Sequence, residues 1–198
     1  VTIMDNNSQN NSRKRFSDYG LKIGELPTGT KNTITDVPGV RVGHCTKKEG
    51  DDIRTGVTII DPGITDLFNQ KIPAAVAVGN GFGKLAWSTQ IEELGTLETP
   101  IALTNTLAVG PVIRAVVNIV IAETSDIKPH ESINAVVGET NDGYLNALHK
   151  DAISENDVRM AFECCSSHVV EGSVGAGTGT RLFFWKGGIG TSSRVVDI

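Results

Sequence analysis

The pattern of apolar and polar positions divides the chain into short segments. Asn32 to Thr35 and Val40 to Cys45 have strand character and flank the turn Asp36-Val37-Pro38-Gly39. Gly56 to Asp61 alternates between apolar and polar residues and stops at Pro62-Gly63. Ala74 to Gly79 is small and apolar, the pattern of a buried strand, and Ile101 to Thr104 has the same character. Gly110-Pro111 then opens a helix, with proline in the first turn, where no amide partner is needed. Val112 to Glu123 is apolar nearly all round, which predicts a helix buried on most sides. Asn134 to Glu139 predicts a strand running into a polar turn. Ser154-Glu155-Asn156-Asp157 has the form of a capping box, and it predicts a helix to about Ser166 carrying the spaced pair Arg159 and Glu163. Val169-Val170 and Arg181 to Lys186 close the chain as further strands. Strands and helices mixed in this way predict a layered α/β fold, with sheets inside and helices outside.

Length and composition narrow this picture. The 198 residues carry 39% hydrophobic and 21% charged positions, the balance of an ordinary globular domain. No linker or repeat interrupts the chain, so residues 16–198 are expected to form one domain behind a polar, asparagine-rich tail over residues 1–15. A net charge of −5 without a basic block argues against nucleic acid as a partner. The longest apolar stretch, Val112 to Ala122, is broken by Arg114 and Asn118 and is too short to span a bilayer. The tail has no secretory character. Cys45, Cys164 and Cys165 are odd in number and lack metal spacing, so they are expected to be reduced core residues in the cytoplasm.

Familiar catalytic signatures are missing. There is no G-x-S-x-G elbow, HExxH or Walker loop, and the four histidines are scattered. No metal or cofactor is implied. Three leads stand in their place. The run Gly172 to Thr180 lets backbone amides approach a ligand, or forms a bulged strand packed on another layer. The segment Gly138 to Asn146 packs an acid, an amide, a second acid and a phenol behind a strand: Glu139, Asn141, Asp142 and Tyr144. Glu139, still within the strand, suits a cationic group in a partly dry cleft, whereas Asp142 suits a cap on a short helix starting at Gly143. Asn80 and Asn105 each follow a buried strand and can offer an amide to a substrate carbonyl or cap a helix.

Five segments together resemble one family. Asn32 to Thr46, Asn80 to Lys84, Glu98 to Leu107, Glu139 to Gly143 and Glu171 to Thr180 are similar, in order, to motifs of the L-aminopeptidase/D-Ala-esterase–amidase family, which includes the β-peptidyl aminopeptidases. The resemblance runs from about Arg13 to Arg194. It implies a four-layer αββα sandwich, of the kind shared with ornithine acetyltransferase. It also implies a precursor that cuts itself before a serine or threonine, whose free amine then serves as base. This chain would be the larger α piece. Its partner would be a β chain beginning with Ser or Thr, and the αβ units would form a homo-oligomer. The expected substrates are short peptides, amides or esters with a free amine. Glu139 is expected to hold that amine, with Asn141, Asn80, Asn105 and Tyr144 around it. Some relatives carry an aromatic residue at the position of Asn141, which implies a different pocket here. The family's oxyanion asparagine and cleavage point follow the Gly187 to Arg194 segment. Both, and the nucleophile after them, are expected beyond Ile198, so no catalytic residue is assigned in this chain. An acyltransferase of the ornithine acetyltransferase kind and a non-catalytic binding subunit are the competing expectations.

Overall fold

The computed structural model describes residues 14–197. The expected tail lies outside the described residues except for Lys14 and Arg15. Ile198, beyond which the oxyanion asparagine and the nucleophile are expected, also lies outside them. Strand β1 is Arg41–Glu49 and β2 is Ile53–Asp61. Two short strands follow, β3 (Ile72–Pro73) and β4 (Thr96–Leu97), then β5 (Ile101–Asn105) and β6 (Val136–Thr140). The four longer strands form the central sheet, in the order β1-β2-β5-β6. The β1–β2 hairpin keeps unbroken register, from Arg41 opposite Asp61 to Glu49 opposite Ile53. Strand β5 runs antiparallel to β2 and parallel to β6. Helix α1 (Ser88–Leu94) precedes β4, and the longer α2 (Val109–Glu123) makes the crossover between β5 and β6.

Helices cover one face of the sheet. α2 buries Val112, Ala115, Val116, Ile119 and Val120 against it, and α3 (Glu155–Glu163) packs over β1 and β2. Gly43 allows that approach, because a Cβ there would meet the Ala161 carbonyl of α3. Ser154 caps α3 as expected, with its hydroxyl and amide bonded to Asp157 Oδ2 at 2.6 and 2.7 Å. The opposite face receives the glycine-rich segment. Gly175 N donates to Thr46 Oγ1 at 2.8 Å, and Ala176 N to Thr58 Oγ1 at 3.1 Å. β2 is therefore covered on both sides, and Val57 and Ile59 are fully buried.

Several expectations are corrected. Asn32 to Thr35 is no strand: residues Ile34–Asp36 form a 3-10 turn, because Asp36 draws in the amides of Lys31 and Thr33 and the Ser193 hydroxyl. Ala74 to Gly79 has the small, apolar composition of a buried strand but no ladder partner among the described residues, and most of it is exposed. Arg181 to Lys186 folds back on itself as two-residue strands β7 (Arg181–Leu182) and β8 (Trp185–Lys186), with Phe183 and Phe184 at positive φ in the turn. Val169-Val170 forms no strand, and the run from Gly172 is a loop with a 3-10 turn at Gly175–Gly177. α3 ends at Glu163 rather than Ser166, and Arg159 lies 4.0 Å from Glu155, not on Glu163. α2 starts at Val109 and leaves Ile121 half exposed, so its apolar circumference is only partly covered here. Gly143 starts a turn, not a helix. Of the cysteines, Cys45 is buried and Cys165 half-buried, but Cys164 is exposed. Burial pushes the Cys45 and Cys165 thiols up to about 12, so both stay protonated and unreactive. No described helix is long and apolar enough to cross a membrane.

Candidate active site

The parallel strands β5 and β6 end side by side, with Thr104 opposite Glu139 and Asn105 opposite Thr140. The residues just past such carboxyl ends face outward from the sheet, where α/β proteins commonly bind ligands. Along the outer edge of β6 runs the segment after Asn80. Its backbone is tied to the strand: Glu139 N donates to Lys84 O at 3.0 Å, and Ala86 N to Val137 O at 2.9 Å. Lys84 is thus held beside Glu139.

The Glu139 side chain is only 9% exposed. Its Oε2 is bonded to the Lys84 ammonium and accepts the Thr106 hydroxyl at 2.8 Å. Burial pushes the carboxyl up, but the bonds from Lys84 and Thr106 outweigh it and hold it below its ordinary value. Glu139 is therefore an ionised carboxylate. Lys84 and Thr106 are what inspection of single residues missed. Both lie inside quoted motifs, but only the fold brings together positions 55 and 33 residues from Glu139.

The other expected site residues occupy varied places. Asn80 is exposed, and its Oδ1 accepts from Phe82 N at 2.9 Å, turning the chain toward Lys84. Asn141 is exposed and makes the same kind of turn onto Gly143 N at 3.0 Å. Tyr144 is exposed, with the Arg181 guanidinium 3.9 Å from its ring centre. Asn105 is buried. Its Oδ1 accepts from Leu107 N and Ala108 N at 3.1 and 3.0 Å, and its Nδ2 donates to Thr55 Oγ1 at 3.0 Å. Among the described residues, no hydrogen bond joins any of these four to Glu139. Asp142 is buried. Its carboxyl is pushed up by burial and partly relieved by bonds from Thr55 and Asn146.

Asn105 has a checkable structural role. Replacing it with alanine removes the acceptor of Leu107 N and the amide that donates to Thr55, whereas Ala108 N keeps the Asn105 backbone carbonyl at 3.1 Å and the Thr55 hydroxyl keeps Asp142. Asn105→Ala is expected to cost about 1–3 kcal/mol of stability, read as a lowered melting temperature by circular dichroism.

Two cavities, of about 200 and 720 Å³, lie elsewhere; neither is lined by Glu139 or the other expected site residues. The smaller lies between Arg41, Asp61, Phe68, Glu98 and the end of α2. The larger lies between the segments near Arg15 and Arg194. The Glu139 site on this chain is open instead: Lys84 is 58% exposed, and the nearby Phe82 is 93% exposed. Among the described residues, no group of three or more His, Cys, Asp or Glu could hold a metal ion.

A mixed α/β chain with an ionised glutamate at the end of paired parallel strands is what the known proteins can be set against. The family model described as peptidase family S58 matches residues 32–198. β-Peptidyl aminopeptidase BapA from Sphingosinicella xenopeptidilytica is 38% identical over 193 residues, covering 92% of this chain and 47% of that protein. The structure of a Burkholderia sp. β-aminopeptidase superposes with a TM-score of 0.85 at 42% identity, over 93% of this chain and 53% of that one. The L-aminopeptidase D-Ala-esterase/amidase of Ochrobactrum anthropi gives 0.84 at 35% identity, over 92% and 53%. That structure is described as a prototype for the serine aminopeptidases and a variant of the Ntn hydrolase fold. This chain belongs to peptidase family S58, as its five motifs indicated. It spans about half the length of the relatives it matches.

Proposed function

We propose that this chain is the α part of an aminopeptidase that removes the N-terminal residue from short peptides, amides or esters carrying a free amine. The carrying observation is Glu139, an ionised, nearly covered carboxylate at a strand end, already holding one ammonium group. A substrate ammonium there would gain a charge-assisted bond in partly desolvated surroundings. In this reading the acyl group lies toward the exposed Asn80, Asn141 and Tyr144, with Asn105 fixing the entry of α2.

The nucleophile in this reading is a serine or threonine made by self-cleavage and carried, beyond Ile198 in the precursor, on a β chain. The greater length of the relatives, about twice that of this chain, supports this. So do the exposed apolar surfaces. Phe183, Phe184 and Trp185 are 84%, 88% and 79% exposed, and Val78 and Phe82 are exposed on the segment leading to Lys84. Such surfaces mark contact with another chain. With the β chain in place, a second sheet would cover the glycine-rich face and complete a four-layer αββα sandwich, repeated in a homo-oligomer of αβ units. Three free cysteines suit a reducing, cytoplasmic setting. N-terminal sequencing of the purified protein is the test. A co-purifying smaller chain that begins with Ser or Thr is expected, whereas full activity from a single uncut chain would overturn the proposal.

A further inference from the structure

Glu139 is already occupied by a cation of its own chain. Lys84 Nζ bonds Glu139 Oε2 and also donates to Thr106 Oγ1 at 2.7 Å, while Thr106 donates to the same carboxylate oxygen at 2.8 Å. The three side chains close a ring of contacts. The two ends of the lysine differ. Its backbone carbonyl is fixed on the β6 edge by Glu139 N, and the adjacent Leu85 bridges Gly138. Its side chain, by contrast, is 58% exposed against 9% for Glu139.

This asymmetry has an energetic meaning. A covered carboxylate without a counter-ion is strongly disfavoured. A lysine tethered alongside supplies that counter-ion, and its flexible four-carbon stem can carry a largely hydrated ammonium back to water at small cost. Thr106 keeps one bond to the carboxylate in either state. We infer that Lys84 is a placeholder: its ammonium occupies Glu139 in the free enzyme and swings into solvent when the ammonium of the substrate takes its position. The inference rests on reading Glu139 as the substrate-amine anchor. It makes Lys84 a determinant of specificity, because a substrate whose amine is acylated or uncharged cannot displace a resident cation. Apparent affinity is lowered by the fraction of enzyme in which Lys84 still holds the site.

The test uses the assembled enzyme. Lys84→Met keeps the stem and removes the charge. For a free-amine aminoacyl anilide, KM is expected to fall about 3- to 10-fold, and the inhibition constant of n-butylamine should fall alongside it. Lys84→Arg, which keeps a cation on the tether, should leave KM at or above the wild-type value. Placed in a Glu139→Gln background, Lys84→Met should change neither constant. An unchanged or higher KM in Lys84→Met protein that is folded and cleaved overturns the placeholder role. It would assign Lys84 instead to bracing the loop or to meeting a negative group of the substrate. Failure of the underlying reading looks different: Glu139→Gln would then reduce activity on free-amine and N-acylated substrates alike.

Discussion

Glu139→Gln is expected to lower kcat/KM on free-amine substrates by roughly two orders of magnitude, since a charged pair in a partly desolvated site is worth on the order of 2–4 kcal/mol when one partner is removed. Glutamine keeps the shape and can still accept the Thr106 hydroxyl, so the β6 end should stay in place. What disappears is the negative charge. Self-cleavage should survive, because the uncut precursor presents no substrate amine at that point. N-acylated substrates supply the control, having no ammonium to lose. The pH dependence follows from the same contacts. The carboxyl is held below its ordinary value by Lys84 and Thr106, so its negative charge persists above that range. It is lost only as pH falls through the lowered value. Loss of the anchoring charge should therefore weaken amine binding on the acid side, below the usual glutamate range, while deprotonation of the substrate ammonium weakens it separately on the alkaline side; the variant should lack the acid limb. Measured on correctly cut protein, equal losses on both substrate types would sink the anchoring role.

The central sheet and its helices were legible because their signals are local. Alternation from Gly56 to Asp61, proline in the first turn of α2 and the Ser154 capping box each identify an element within a few residues. The misread segments are those whose state depends on distant groups. Asn32 to Thr35 has strand composition, yet Asp36 gathers the amides of Lys31 and Thr33 and the hydroxyl of Ser193, some 157 residues away. Ala74 to Gly79 and Arg181 to Lys186 have apolar composition suited to strands, but a strand is stabilised by its neighbours, and the described residues offer them none beyond the small β7–β8 turn. α1 escaped notice because it is seven residues long and starts after Trp87 at positive φ, with no side-chain cap. At the site, Glu139 stood out as an acid at a strand end. Its pairing with Lys84 and Thr106 did not, since the β5–β6 register and the edge segment bring them together only on folding.

Gly56 should prove the less replaceable glycine when tested against a matched control. It sits in β2 opposite Thr46, at the centre of the sheet, on the face that receives the glycine-rich loop. A Cβ there would lie 2.5 Å from the Gly175 carbonyl oxygen and would also collide with the Cys45 carbonyl oxygen. Both obstacles are backbone, so no side-chain rotation relieves them. The loop would have to lift, breaking the bonds from Gly175 N to Thr46 and from Ala176 N to Thr58. It would also pull on the β6 end, because Thr140 Oγ1 donates to Ala176 O at 3.1 Å, next to Glu139. Gly56→Ala is therefore expected to cost on the order of 3 kcal/mol or more, a fall in melting temperature of about 6–12 °C for a domain of this size. At temperatures where it remains folded, its KM for free-amine substrates should rise. Gly110→Ala is the control. It lies in the first turn of α2, with nothing within 4 Å of the added carbon, so it should leave stability unchanged or raise it by up to about 1 kcal/mol. Thermal melts of both variants beside the wild type decide the point. If Gly56→Ala melts together with Gly110→Ala, the close seating of the glycine-rich loop on β2 is not what holds that face of the sheet or the strand end that carries Glu139.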